Sequence, residues 1–503
     1  MQNVNELIDR LVAYAIKNGL LDPADRIWAV NELLPVLGLQ NYTPSGGKGR
    51  VPVHAAEVLT PLCDWAAAHG LISPDTPTQR DLFDTRLMNV FAARPSQVIG
   101  EFALLYKTRG PRAATDKFYH DARALHYIRT DRVAKNRVWK AATPYGQLDI
   151  TINMSKPEKD PKDIAAALQV KSAGYPACLL CKENEGYAGH AAHPARQNLR
   201  LIPLDLLKDG KPWYLQYSPY VYYNEHCICL SGTHEPMKLT AKSFARLLEF
   251  VRLLPHYFIG SNADLPIVGG SILTHDHFQG GRYVFAMEKA PVQRSFRLKK
   301  FPKIKAGVVR WPMSVLRLSG SQKDLAAAGD YILKKWRKYS DPAADILAFT
   351  GDTPHNTVTP IARRRGKTFE LDLVLRNNRT TPEFPLGIFH PHAEVHHIKK
   401  ENIGLIEVMG LAVLPARLAA ELDALAPLLV KKDAAAVRKD PALAKHAAWA
   451  EELLAKYHFT PANAAKILQK EVGRVFARVL EYAGVYKRTP EGQAALERFL
   501  KTL

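Results

Sequence analysis

The chain has 503 residues, 47% apolar and 23% charged, and its 69 Lys and Arg outnumber 49 Asp and Glu to give a formal charge of +20. This length is too great for one simple core and predicts two to four structural units of ordinary globular composition. No run of about 18 uncharged apolar residues occurs, which excludes a transmembrane helix, and five cysteines, an odd number, exclude a complete disulfide framework.

The start, Met1-Gln2-Asn3-Val4-Asn5-Glu6, lacks the basic and apolar segments of a signal peptide. With the sparse cysteines it predicts a reducing cytoplasm. The positive balance favours anionic partners. Basic residues are spread along the chain, without a basic tail, zinc-finger spacing or aromatic RNA-binding signature, so no specific nucleic acid is expected.

In chain order, Val4, Leu7, Ile8, Leu11, Val12 and Ala15 recur at helical spacing, and Gly19 can end that helix. Asp22-Pro23 reads as an N-cap with Pro at the first helical position. Amphipathic stretches follow near Ala55–Ala68 and Gln79–Ala93. Nothing before about residue 115 carries chemistry, which suits scaffold or dimer contact. Leu148, Ile150, Ile152 and Met154 alternate as a strand, and Tyr220–Ser231 reads as another. Phe244–Leu254 reads as a helix. Strand-like runs return at Gly307–Val315, Asn356–Arg363 and Phe369–Leu375, then a helix-like run at Ile403–Leu414. That recurrence suggests a duplicated α+β unit. Helices resume from Pro415, with Thr460-Pro461 and Thr489-Pro490 as predicted caps.

The most informative segment is His275-Asp276-His277-Phe278-Gln279. Period-two alternation places His275, His277 and Gln279 on one face of an extended segment. Gly269-Gly270 and Gly280-Gly281 let a backbone or a phosphate come close. Two imidazoles and a carboxamide facing one way suit covalent chemistry at phosphorus, one ring attacking and the amide donating to a phosphoryl oxygen. A metal pair or surface histidines fit the same letters. His277 is the predicted nucleophile. Gln279 offers no acidic proton, so it suits a leaving group that is already a stable anion, and favours nucleotidyl transfer over hydrolysis.

Cys178-Leu179-Leu180-Cys181 has the spacing at which one turn offers two thiolates to a tetrahedral zinc. A redox pair or two buried thiols fit as well. With no second such pair, histidines must complete a metal site, and His234 and His275 are the candidates for a closed, structural zinc. Cys227, Cys229 and Cys63 read as packed side chains. Lys156 and Lys159, in Ser155–Pro161, could bind phosphate or form a charged turn. His190, His193, Arg196 and Arg200 form a second basic cluster. His390, His392, His396 and His397 could ligate a metal or line a polar pocket. Glu407 could hold a sugar hydroxyl while Lys399 and Lys400 hold a phosphate.

These segments resemble a known family. The His-x-His-x-Gln motif resembles that of the histidine-triad nucleotidyltransferases. Ser261-Asn262-Ala263-Asp264-Leu265-Pro266-Ile267-Val268-Gly269-Gly270-Ser271 is similar to the bacterial type 2 galactose-1-phosphate uridylyltransferases. So are His396-His397-Ile398-Lys399-Lys400-Glu401-Asn402-Ile403-Gly404-Leu405-Ile406-Glu407-Val408-Met409-Gly410, the stretch Leu7 to Gly38, Arg80-Asp81-Leu82-Phe83-Asp84-Thr85 and Ser155–Pro161. The resemblance implies a two-step exchange of UMP between UDP-glucose and galactose 1-phosphate through a uridylyl-His277. It implies zinc on Cys178, Cys181, His234 and His275, phosphate contacts from Asn262 and Ser271, and hexose recognition by Glu407. A homodimer is implied too. The type 1 second metal site uses a His-x-His strand, whereas this chain reads Glu370-Leu371-Asp372-Leu373, so iron is not expected. Another histidine-triad transferase, a dinucleoside polyphosphate phosphorylase or a zinc-stapled nucleic-acid binder are the competing readings.

The predicted fold is α+β, a duplicated histidine-triad-like core with added helices. Its parts are an N-terminal helical region (1–140), a first half with the motif (141–300), a second half (301–425) and C-terminal helices (426–503).

Overall fold

The computed structural model describes residues 3–46, 50–154, 174–270 and 272–503. The chain divides into two units, Met1–Lys135 with Ser155–Glu235 and Asn136–Met154 with Pro236–Leu503. Helices and sheets are mixed in both, as an α+β chain requires.

In the first unit the predicted N-terminal helix runs Val4–Lys17, capped by the Asn3 side chain, which accepts from the backbone N–H of Asn5. Asp22 likewise accepts from Ala24 N ahead of Pro23, opening a short 3-10 turn that leads into the helix Arg26–Val36. Helices Ala56–Ala68 and Pro77–Asn89 correspond to the predicted amphipathic stretches. Their inward stripes close one core of Leu7, Ile8, Leu11, Leu33, Val58, Leu62 and Leu87, with Cys63 among them. Truncating any one of these leucines to Ala would cost about 2–5 kcal/mol. The string Arg80–Thr85 turns out to clamp this unit: Arg129 forks onto Asp84 at 2.6 and 2.8 Å, and Arg132 forks onto Asp81. Strands Ile202–Leu204, Trp213–Tyr217 and Cys227–Ser231 pair antiparallel in that order. Cys227 and Cys229 are buried packing residues. The strand expected from Tyr220 begins only at Cys227, because Val221 and Glu225 adopt positive φ of 39° and 54° and keep the intervening chain a loop.

The second unit carries an antiparallel run of His277–Gly281, Phe258–Gly260, Asn356–Arg365, Thr368–Asn377, Val315–Gly320, Lys305–Val309 and Val292–Phe296. Helices Ala241–Leu253 and Gln322–Trp336 pack on one another and on this sheet. The run expected at Gly307–Val315 is split: its two ends belong to antiparallel neighbours, because Pro312 in the connection has no N–H to give a ladder. A small sheet pairs Arg137–Thr143 with Gly146–Ile152, and the latter runs parallel to Leu411–Leu414.

The helix-like reading of Ile403–Leu414 is corrected by this pairing. Only Leu405–Val408 is helical. Gly410, at φ 100°, then ends the turn, where an added Cβ would meet the Trp311 ring at 2.8 Å. Helix Ala464–Ala483 covers the small sheet, its Gly473 lying against Ala141. Thr489 caps Pro490–Leu500 as expected, while the helix after Thr460-Pro461 starts later, at Ala464. No described helix is long and apolar enough to cross a membrane.

Candidate active site and metal-binding cluster

His277 opens its strand and is buried. Its Nδ1 lies 2.7 Å from the backbone carbonyl oxygen of His275. A carbonyl only accepts, so Nδ1 carries the proton and the lone pair stays on Nε2. Burial holds the imidazole down at about 4, with the His275 ring adding to the effect and the carbonyl bond opposing it, so the ring is neutral at pH 7. A neutral ring of fixed tautomer is what in-line attack on phosphorus requires. His275 itself precedes the strand, so the expected single face is shared by His277 and Gln279, and His275 stands apart as a bend residue. Gln279 pairs with Gly260 directly across the ladder.

The glycines ahead of the motif serve the fold of their own loop. A Cβ on Gly269 would come 2.7 Å from the carbonyl oxygens of Ala263 and Leu265, and one on Gly270 would come 2.5 Å from Asn262 Nδ2. Asp264 fastens the loop's base, accepting from Leu239 N, Arg337 and Thr357. Asn262 is buried and its Oδ1 accepts from Leu405 N at 2.9 Å. Ser271, Lys156 and Lys159 lie outside the described residues.

In the first unit Cys178 Sγ and Cys181 Sγ are 3.5 Å apart, and His234 Nδ1 is 3.2 Å from Cys181 Sγ. The ligand atoms of these three residues lie within 4.8 Å of one another. Burial, then the neighbouring Cys178 thiol, pushes the Cys181 thiol up to about 11. A bound cation would reverse that by favouring the thiolate. Two thiols and an imidazole are a donor set for zinc or a metal of like softness. Asn184 holds the Cys-x2-Cys turn, its amide donating to the carbonyls of Cys178 and Cys181 at 2.8 Å while its Oδ1 accepts from His193 Nε2 at 2.7 Å. Sequence spacing gave no hint of Asn184, and it grouped His193 with phosphate ligands. Arg200 is also committed elsewhere: its guanidinium donates to the backbone carbonyls of Ala92, Ala93, Gln197 and Leu199.

Two sequence profiles match: one for the N-terminal domain of galactose-1-phosphate uridyl transferase over residues 19–236, and one for its C-terminal domain over 250–451. The chain belongs to the galactose-1-phosphate uridyl transferase family. It is 54% identical over 499 residues to the galactose-1-phosphate uridylyltransferase of Halalkalibacterium halodurans, covering 99% of this chain and 98% of that one. It is 51% identical over 504 residues to the protein of that name from Bacillus subtilis, covering 100% and 98%. For the Clostridium acetobutylicum protein the identity is 53% over 504 residues, covering 99% and 100%.

In this member of the uridyl transferase family, Glu407 pairs with Lys399, whose Nζ lies 3.0 Å from Oε1 and 3.1 Å from the Val413 carbonyl oxygen. Lys399 is buried, whereas Lys400 is exposed. Sequence reading ranked the two lysines together; the structure separates them. The histidine-rich stretch does not converge on one point. His390 contacts the Asn402 amide oxygen, and His392 lies between the rings of Phe384 and Tyr482 at 4.5 and 4.1 Å. His396 Nε2 donates to the Pro391 carbonyl, and His397 meets His446 at 2.9 Å. Glu370 and Asp372 are taken up by arginines: Asp372 receives Arg317 and Arg363, and Glu370 receives Arg363 and Arg365. Guanidinium charge thus satisfies these carboxylates.

Proposed function

We propose that the chain is a UDP-glucose–hexose-1-phosphate uridylyltransferase of galactose metabolism, working through a uridylyl-histidine on His277. The reading rests on full-length family membership joined to one observation: an imidazole whose proton is held at Nδ1 by the His275 carbonyl.

His277 Nε2 attacks the uridylyl phosphorus of UDP-glucose. The N–P bond forms as the bond to the β-phosphate oxygen breaks, and glucose 1-phosphate leaves as an anion that needs no proton. The Nδ1–H bond to the His275 carbonyl steadies the positive charge on the ring in the intermediate. Gln279 donates its amide hydrogens to a non-bridging oxygen and has no acid function, which disfavours water as acceptor. Galactose 1-phosphate then attacks the same phosphorus, the N–P bond breaks, and UDP-galactose departs. Two in-line displacements thus use one phosphate site. Glu407, with Lys399 and Lys400 near it, recognises the hexose.

Cys178, Cys181, His234 and His275 would hold a zinc ion, which supplies a structural tie rather than a reacting group. Zinc on the His275 ring would steady the backbone carbonyl that orients His277. The enzyme is a cytoplasmic homodimer in this reading, and its motif-bearing half (141–300) is followed by a second half (301–425) that handles the sugar.

The test is incubation with UDP-glucose labelled in the uracil ring. An acid-labile, base-stable protein adduct is the expected product, absent from His277→Asn. Failure of wild type to take label, or equal labelling of the variant, would overturn the reading.

A further inference from the structure

We propose that Asn262 is a positioning residue that sets the register between the turn carrying Glu407 and the glycine loop ahead of the nucleophile, so that hexose recognition and phosphoryl transfer are coupled through one carboxamide. The proposal rests on the uridylyltransferase reading above.

Asn262 and Leu405 are far apart in sequence, yet Asn262 Oδ1 accepts the Leu405 N–H at 2.9 Å in a buried setting. Leu405 is the first residue of the turn Leu405–Val408, which carries Glu407. Glycine faces the carboxamide from both sides. A Cβ on Gly270, in the loop before the motif, would lie 2.5 Å from Asn262 Nδ2. A Cβ on Gly404, in the turn, would lie 3.2 Å from Asn262 Oδ1 and 3.4 Å from Glu407 Oε2. The side chain therefore fills the gap between the two segments with no slack.

Each segment is fixed independently at its far end. Asp264 holds the loop through Leu239 N at 2.9 Å and Arg337 at 2.8 Å. The turn is held by Arg376, fully buried, which donates to the Ile403 carbonyl at 2.8 Å, and by Lys399 on Glu407 at 3.0 Å. A short hydrogen-bonding side chain between two anchored segments resists any change in their spacing, and removing or crowding it is the change that alters that spacing. The spacing decides whether a sugar held by Glu407 presents its phosphate in line with His277, and a misplacement near 1 Å costs on the order of a hundredfold in rate.

A simple phosphate contact by Asn262 would predict something else, namely equal weakening of every phosphate acceptor. Uridylyl-enzyme made from labelled UDP-glucose and freed of substrate can be chased with galactose 1-phosphate or with pyrophosphate, which has phosphate but no sugar. The ratio of the two second-order rate constants measures the coupling, and the labelled fraction counts active sites, so a poorly folded variant does not distort it. Gly404→Ala keeps both carboxamide and carboxylate and is backbone-compatible, since Gly404 has φ −86°. We expect Gly404→Ala and Asn262→Ala each to lower that ratio about tenfold or more. An unchanged ratio in either variant overturns the proposal, whereas a wild type that takes no label overturns the uridylyltransferase reading instead.

Discussion

His277 Nδ1 donates to the backbone carbonyl of His275 at 2.7 Å, so the residue that orients the proposed nucleophile is its neighbour two positions back, acting through its main chain. Main-chain orientation makes the side chains of the two histidines separable by mutation. His277→Asn removes the proposed nucleophile and should lower UMP transfer by several orders of magnitude with little loss of stability. His275→Ala keeps the carbonyl and should leave a measurable rate. Single-turnover formation of the labelled adduct in both variants checks this ordering, and a dead His275→Ala enzyme that still folds would contradict it.

The Cys178–Cys181 turn should be the part of the first unit most sensitive to metal. Its thiols lie 3.5 Å apart, and Asn184 holds both of its carbonyls. Cys181→Ser should lower the zinc content of purified protein well below one ion per chain. It should also lower the melting temperature by several degrees, since a closed metal site contributes directly to folding free energy. Elemental analysis and calorimetry on wild type and variant, with and without a chelator, measure both.

Sequence reading found what is local and repetitive, and lost what depends on distant partners. The hairpin Asn356–Arg365 with Thr368–Asn377 was visible because Phe369, Leu371 and Leu373 alternate with polar residues after a turn at Gly366, φ 59°. Leu411–Leu414 was read as a helix end because a short apolar run looks alike in either state. Only its parallel partner Gly146–Ile152, far away in the chain, decides it. The same limit applies to side chains. His277 was nameable from its motif, but the use of Arg200 on four carbonyls, and of Lys399 rather than Lys400 on Glu407, comes from tertiary packing that spacing does not encode.

Arg200 offers a direct separation of binding from scaffolding. Its donors go to carbonyls in two segments, Ala92–Ala93 and Gln197–Leu199. Arg200→Met should remove those four hydrogen bonds, three of them part-buried, at about 0.5–1.5 kcal/mol each. The expected outcome is a lower melting temperature with kcat/KM for UDP-glucose within a few-fold of wild type. A large rise in KM at unchanged stability would return Arg200 to the phosphate site.

A buried relay in the C-terminal region should set the acid limit of stability. Glu421 can only accept, so His446 Nε2 donates to it at 3.0 Å. His446 Nδ1 is then an acceptor, and His397 must donate from Nδ1 across 2.9 Å. Burial favours the neutral form of both rings, and Trp449, Arg417 and Lys445 flank them. Burial lowers both imidazoles, and for His397 the neighbouring His446 and Arg417 help bring it from 6.5 to about 3. Because the folded value lies below the unfolded one, the stabilisation is complete above pH 6.5 and is lost as the pH falls from there toward about 3. Each titrating group contributes at most about 1.4 kcal/mol per pH unit in that window. His397→Gln cannot titrate, so its stability should fall more gently with acid than that of wild type, even if it starts lower at pH 7. Denaturant midpoints measured from pH 7 to 4 compare the two slopes, and parallel slopes would exclude the relay as the source of acid sensitivity.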